Sequence, residues 1–97
     1  NSNITFMKEI IINDRHFIVE DYTEPKVFYN ENADDKIGFS DIIIKALPLE
    51  VNELPKEGTI IIVTPERKDI LTYSSFEKCR NDEYDYSFTI SKWNFIR

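Results

Sequence analysis

Cysteine occurs once in this chain, at Cys79, and histidine once, at His16. A lone cysteine excludes an intrachain disulfide, and small secreted domains commonly depend on such staples, so the reading is of a reducing, cytoplasmic setting. One Cys and one His cannot complete a structural zinc site. Glycine is nearly as scarce. Gly38 and Gly58 stand alone in separate segments, so neither a Walker loop nor a dinucleotide fingerprint is present, because both need clustered glycines for the backbone to approach a phosphate. Long apolar runs are missing too: the longest, around Ile60–Val63, falls far short of the ~20 residues that span a bilayer. The stretch Asn1–Phe6 has neither the basic start nor the apolar run of a secretory leader, which leaves the sequon at Asn3 without consequence. Basic residues are the last shortage. Twelve Lys and Arg stand against 18 Asp and Glu, a net charge of −6. Nucleic-acid binding rests on a basic face, so a direct nucleic-acid partner is not expected, and acidity disfavours anionic membranes for the same reason.

What is present suits one folded domain over residues 1–97. Apolar residues make up 41% and aromatics 13%, enough for a single core and too much for a disordered chain. Met7 begins a segment that reads as a natural start. That would make residues 1–6 an added leader, although Ile4 and Phe6 equally suit an extension of the first strand.

Strand signals dominate. Residues 4–12 and 15–22 are rich in Ile, Phe, Val and Tyr, with Asn13-Asp14 between them. Two residues that tolerate a left-handed backbone, set between β-prone runs, predict a hairpin. Pro25 breaks the chain before a short run at Lys26–Tyr29, and residues 30–36 are polar and loop-like. Residues 40–47 suit either a strand or a short helix capped by Ser40 and ended by Pro48; the helix is preferred. Thr59–Thr64 is apolar on both parities and is expected to be covered on both faces. Thr64-Pro65-Glu66 suits either a helix start, with Pro at its first position, or a hairpin turn into a strand at 70–73, which is preferred; Ser74–Arg80 is read as one helical turn. Near the C-terminus Tyr84, Tyr86, Phe88 and Ile90 alternate with Asp85, Ser87 and Thr89, a half-buried strand. Trp93 and Phe95 then fall on the opposite parity, which requires a bulge or tight turn near Ser91-Lys92 if both are to rejoin the core. The fold class expected is mainly β with one or two short helices, arranged as a curved antiparallel sheet or small barrel. Leu54–Val63 resembles the turn-and-strand element of SH3-like small β-barrels; that resemblance covers only this segment and transfers no functional residue.

Catalytic chemistry finds no constellation. Cys79 and His16 are the one conceivable nucleophile–base pair, with Lys78 and Arg80 placed to lower the thiol pKa. Adjacent acids such as Asp34-Asp35 lack the glycine-bearing calcium-loop pattern. No enzyme activity and no cofactor are expected. Two surface clusters of acids and tyrosines remain. One comprises Glu20, Asp21, Tyr22 and Glu24 and runs on to Asp35; the other comprises Asp82, Glu83, Tyr84 and Asp85. Carboxylates steer a basic partner, and tyrosine supplies contact area at low entropic cost. The function expected is a non-enzymatic protein-binding module, and more specifically a small acidic intracellular inhibitor of the immunity or phage-antagonist type that occludes a basic surface of a partner enzyme. The alternatives are an assembly subunit that pairs through an edge strand, with self-association, and an appendage domain of a larger protein.

Overall fold

The structure is a computed structural model that describes residues 7–29, 31–32, 37–49, 53–80 and 84–97. Among them are nine strands: β1 (Lys8–Ile12), β2 (Arg15–Val19), β3 (Asp21–Tyr22), β4 (Val27–Tyr29), β5 (Ile37–Phe39), β6 (Ile42–Lys45), β7 (Gly58–Val63), β8 (Lys68–Lys78) and β9 (Tyr86–Ile96). The mainly β fold is as expected. No described residue is helical, so no helix there is long and apolar enough to cross a membrane.

Asn13 and Asp14 form the first turn, with φ of 49° and 67°. Two consecutive left-handed residues are what a type I′ hairpin demands, and here they bring Ile12 opposite Arg15. Asn13 does more than turn the chain. Its main-chain N–H donates to the Thr59 carbonyl at 3.0 Å, and its Oδ1 accepts the Thr59 N–H at 2.9 Å. Its Nδ2 donates to the Tyr73 hydroxyl at 2.8 Å, and that hydroxyl donates onward to the Pro55 carbonyl at 2.8 Å. A Cβ at Gly58 would overlap the Asn13 side chain, so this strand has to begin on a glycine.

Seven strands form one antiparallel sheet in the order β2-β1-β7-β8-β9-β6-β3, and β4 and β5 form a separate two-stranded arm. The two margins of the large sheet, β2 and β3, are consecutive in the chain with only Glu20 between them. The sheet therefore curls until its margins meet. Glu20 N–H bonds the Lys45 carbonyl and Thr23 N–H the Ile43 carbonyl, both at 3.0 Å, which carries the β3–β6 ladder to either side of its two residues. Of the expected architectures, the small barrel is the one this connectivity draws.

Alternate residues of each strand fill the interior. Ile10, Ile12, Phe17, Val19, Ile60, Ile62, Leu71 and Tyr73 come from one half, and Ile42, Ile44, Tyr86, Phe88 and Ile90 from the other. Each such side chain contributes roughly 1.5–3 kcal/mol on leaving water. Tyr73 meets Phe88 edge-to-face at 5.1 Å, and the Tyr86 hydroxyl is satisfied by the Leu49 carbonyl at 3.0 Å.

Several expectations change. Residues 42–45 are a strand rather than a helix: Ile42 and Ile44 point inward while Ile43 and Lys45 point out. Their run ends at Ala46, a left-handed residue with φ of 59°, whose N–H is held by Asp85 Oδ1 at 3.0 Å. The helical turn read at 74–80 is instead the continuation of β8 to Lys78. Thr59–Val63 is covered on one face only. Ile60 and Ile62 are buried, Ile61 is half-buried and Val63 is 60% exposed. Residues 4–6 of the expected first strand lie outside the described residues.

The C-terminal phase slip is resolved by two compensating bulges. Thr72 pairs with Lys92, Tyr73 with Ile90, and Ser75 with Thr89, so Ser91 is extra on β9 and Ser74 is extra on β8. Both strands switch parity at the same level. Trp93 accordingly returns to the core side, half-buried beside Leu71, and Phe95 follows it but remains 48% exposed rather than joining the core.

Opposite parities of β7 should respond oppositely to charge. Ile62→Asp buries a carboxylate without a partner and is expected to abolish folding at ordinary temperature. Ile61→Asp, on the outer face, should leave a cooperatively folded protein. Urea denaturation followed by circular dichroism reads both, and equal effects would contradict the one-sided burial.

Candidate functional site

The expected acidic clusters meet the fold in different ways. Asp82 and Glu83 lie outside the described residues. Tyr84 is 43% exposed, beside a shallow groove lined by Ala46, Pro48 and Leu49. Asp85 serves the fold through its bond to the Ala46 N–H, and the main chain on either side reinforces it. The Tyr84 carbonyl accepts from Leu47 N–H at 2.8 Å, and the Asp85 carbonyl from Cys79 N–H at 2.7 Å.

In the other cluster, Glu20 and Glu24 are exposed, Asp21 is bridged and Tyr22 is half-buried. Lys8 Nζ donates to Asp21 Oδ1 at 2.7 Å and sits 4.9 Å above the Tyr22 ring. The Lys8 hydrogen bond, with help from the Tyr22 N–H, lowers the Asp21 carboxyl pKa, and the same bond raises that of the Lys8 ammonium. Lys45, directly opposite Asp21 in the ladder, acts in the same direction on the acid. The local excess of acids is thus offset by lysines from distant strands. The two clusters approach one another through β6, since Lys45 faces Asp21 and the next residue, Ala46, holds Asp85.

Beside Tyr22 the mouth of the barrel opens into a cleft of about 480 Å³, lined by Lys8, Tyr22, Glu24, Arg67, Asp69 and Arg97 among others. Asp69 is the one buried charged residue among those described, 3% exposed. Its carboxylate accepts Trp93 Nε1–H at 2.9 Å and Arg67 Nε–H at 3.1 Å. The Arg67 guanidinium lies over both the Trp93 and Phe95 rings, at 5.6 and 5.3 Å. This constellation was not anticipated from sequence, though a signal existed: Asp69 shares parity with Leu71 and Tyr73, and an acid on the core side of a strand needs a donor. Burial raises the Tyr22 phenol pKa, with Lys8 opposing it. Two pairs of charges are matched beside the cleft, Lys8 with Asp21 and Arg67 with Asp69.

His16 and Cys79 are not brought into contact. His16 Nδ1 lies 2.9 Å from Glu9 Oε2 on the outside of β2. Burial, together with Asp85 and Glu77, pushes the Cys79 thiol pKa up, against the expected lowering by Lys78 and Arg80. Among the described residues no three His, Cys, Asp or Glu side chains gather to hold a metal ion.

The arm is the remaining feature. Ser40 N–H closes its base on the Lys26 carbonyl at 2.9 Å, and Phe39 roots it edge-to-face on Trp93 at 6.4 Å. Beyond that root the side chains are in water: Val27, Phe28, Tyr29 and Ile37 are 54–64% exposed. Phe28 lies across Gly38, where any side chain would collide with its ring. Trp93 therefore has two duties, holding the arm on one side and the Asp69 carboxylate on the other. No family model matches the chain, and no curated protein or solved structure matches it.

Two measurements check these pairings. Asp21 titrates below its unfolded value, so its pairing stabilises the fold above the ordinary carboxylate range and is lost as pH falls through the lowered folded value. Carboxyl NMR should show Lys8→Met moving the Asp21 midpoint upward. Asp69→Ala strands the indole N–H and the guanidinium. It should cost about 2 kcal/mol in urea denaturation and shift the emission of Trp93, the only tryptophan.

Proposed function

We propose that this protein is a non-enzymatic protein-binding module whose anchor is the β4–β5 arm. The single observation behind the reading is the exposure of Val27, Phe28, Tyr29 and Ile37 on a strand pair that projects from a filled barrel. Exposed aromatics set on a paired strand carry the composition of interface hot spots, which are rich in tyrosine and desolvated on binding. Both faces of the arm are apolar: Phe28 covers Gly38 on one, and Tyr29 pairs with Ile37 on the other.

Glu20, Glu24 and Glu31 are exposed on the arm and on the strand leading to it. Together with the net charge of −6, they suit a partner whose surface is basic around an apolar seat. Occlusion of such a surface on a partner enzyme, in the reducing interior of a cell, is the form of inhibition that this arrangement serves. At the barrel mouth Lys8 is matched with Asp21 and Arg67 with Asp69, which supports a binding role.

A second reading has an observation of its own. Ser74–Lys78 of β8 extends past β7, and among the described residues it is laddered on the β9 side alone. An assembly subunit would use such an edge to add a neighbour's strand.

Capture from native lysate with the wild-type protein and with Phe28→Ser/Tyr29→Ser separates the readings. The arm variant should unfold at the same urea concentration as wild type and lose the captured partner by at least tenfold. Retention of the partner by the folded variant would remove the arm from the interface.

A further inference from the structure

The outer face of β1, β7 and β8 carries an arrangement of side chains that is its own complement. Alternation fixes which residues lie there. Ile10, Ile12, Ile60, Ile62, Leu71 and Tyr73 are buried, so Glu9, Ile11, Ile61, Val63, Lys68 and Ile70 point away from the core. The register sets them in rows. Ile11, Ile61 and Ile70 stand abreast, all half-buried, between His16 of β2 and Asn94 of β9. In the next row Val63 pairs with Lys68 and Lys68 with Ile96, while Glu9 pairs with Ile18. Continuing the β1–β7 register by one outward-facing pair sets Glu9 beside Val63. Across five strands that row reads Ile18, Glu9, Val63, Lys68, Ile96. The other reads His16, Ile11, Ile61, Ile70, Asn94.

Both rows keep their apolar pattern when reversed about β7, and the reversal exchanges an acid for a base. We propose that a second copy of this chain docks on this face, related to the first by a two-fold axis along β7. Such an axis lays β1 of one copy over β8 of the other. Glu9 then meets Lys68 of the partner subunit, and Lys68 meets the partner subunit's Glu9. Ile11 meets Ile70 of the partner subunit, while Ile61 and Val63 meet their own counterparts. The contact is isologous, as closed dimers require, and two twisted sheets pack in this aligned manner with their strands about 30° apart. The charges also define the register. A shift by one strand sets Glu9 against an apolar residue, and head-to-tail stacking brings like charges together. The apolar material is available, with Val63, Ile96 and Ile18 all more than half exposed, and Glu9 is braced over the face by His16 Nδ1 at 2.9 Å. The arm and the β8 edge are left free, so the dimer is independent of the partner-binding reading.

A charge exchange tests the proposal. Sedimentation of the purified protein over a concentration series should show a monomer–dimer equilibrium. Glu9→Lys alone and Lys68→Glu alone should each weaken dimerisation at least tenfold, and Glu9→Lys/Lys68→Glu together should return it to within threefold of wild type. Because both residues are exposed, circular dichroism should be unchanged throughout. Three results would overturn the assignment: a wild-type protein that stays monomeric to about 1 mM, the weak end of specific association; a double variant no better than the singles; or a dimer that ignores both charges and dissociates when Ser75→Pro blocks the β8 edge.

Discussion

Glu20 is the whole of the connection between the strands at the two margins of the large sheet. A single residue spans only a few ångströms, so the sheet is obliged to curl until its first and last strands are neighbours. Much else is a consequence of that short joint. The curl gathers the alternate residues of every strand into one interior. It also decides which groups end up at the barrel mouth, where Lys8 from the first strand reaches Asp21 and Tyr22 just past the joint.

The turn at Asn13 carries the closed sheet into its other half. One side chain accepts from Thr59 and donates to Tyr73, while the missing side chain at Gly58 leaves it room. Trp93 plays the matching part at the other end by engaging Asp69 and seating Phe39. Between these two pins the paired bulges at Ser74 and Ser91 let the longest strands change which parity faces inward without breaking their ladder. The arm is fixed at its root, while Val27, Phe28, Tyr29 and Ile37 stay exposed.

Part of this was legible in the amino-acid sequence, where local chemistry decides the outcome. Asn13-Asp14 demands a left-handed turn, and Trp93 on the wrong parity after Ile90 demands an irregularity. Both are found. Tyr84, by contrast, does not share the buried face expected for it with Tyr86, Phe88 and Ile90, being 43% exposed and ahead of β9. Where the answer lies in a distant partner, the sequence misled. Ile43 is apolar yet faces outward, which hid the alternation of β6 and made a helix attractive. Ala46 ends that strand in a conformation maintained by Asp85, thirty-nine positions away. Asp21 looks like one of many free acids until Lys8 and Lys45 are set beside it. At Asp69 the signal was local but went unread, since its value depends on knowing that Leu71 and Tyr73 are core.

The seam between β1 and β7 has a consequence in time. The hairpins of this barrel are local and close within about 1–10 μs each, but the seam joins Ile12 to Ile60 and cannot form until the intervening chain has been drawn into a loop. The entropy of that closure is lost before the contacts that reward it are made. Loop closure of this size burdens the union of the N-terminal hairpin with the β7–β8–β9 meander through Asn13 and Thr59, and equally the pairing of Ile42 with Phe88 between β6 and β9. Until it occurs, the isoleucines of β7 present an unpaired apolar edge to every other chain in solution. The interval before the seam closes is when this protein is most exposed to aggregation.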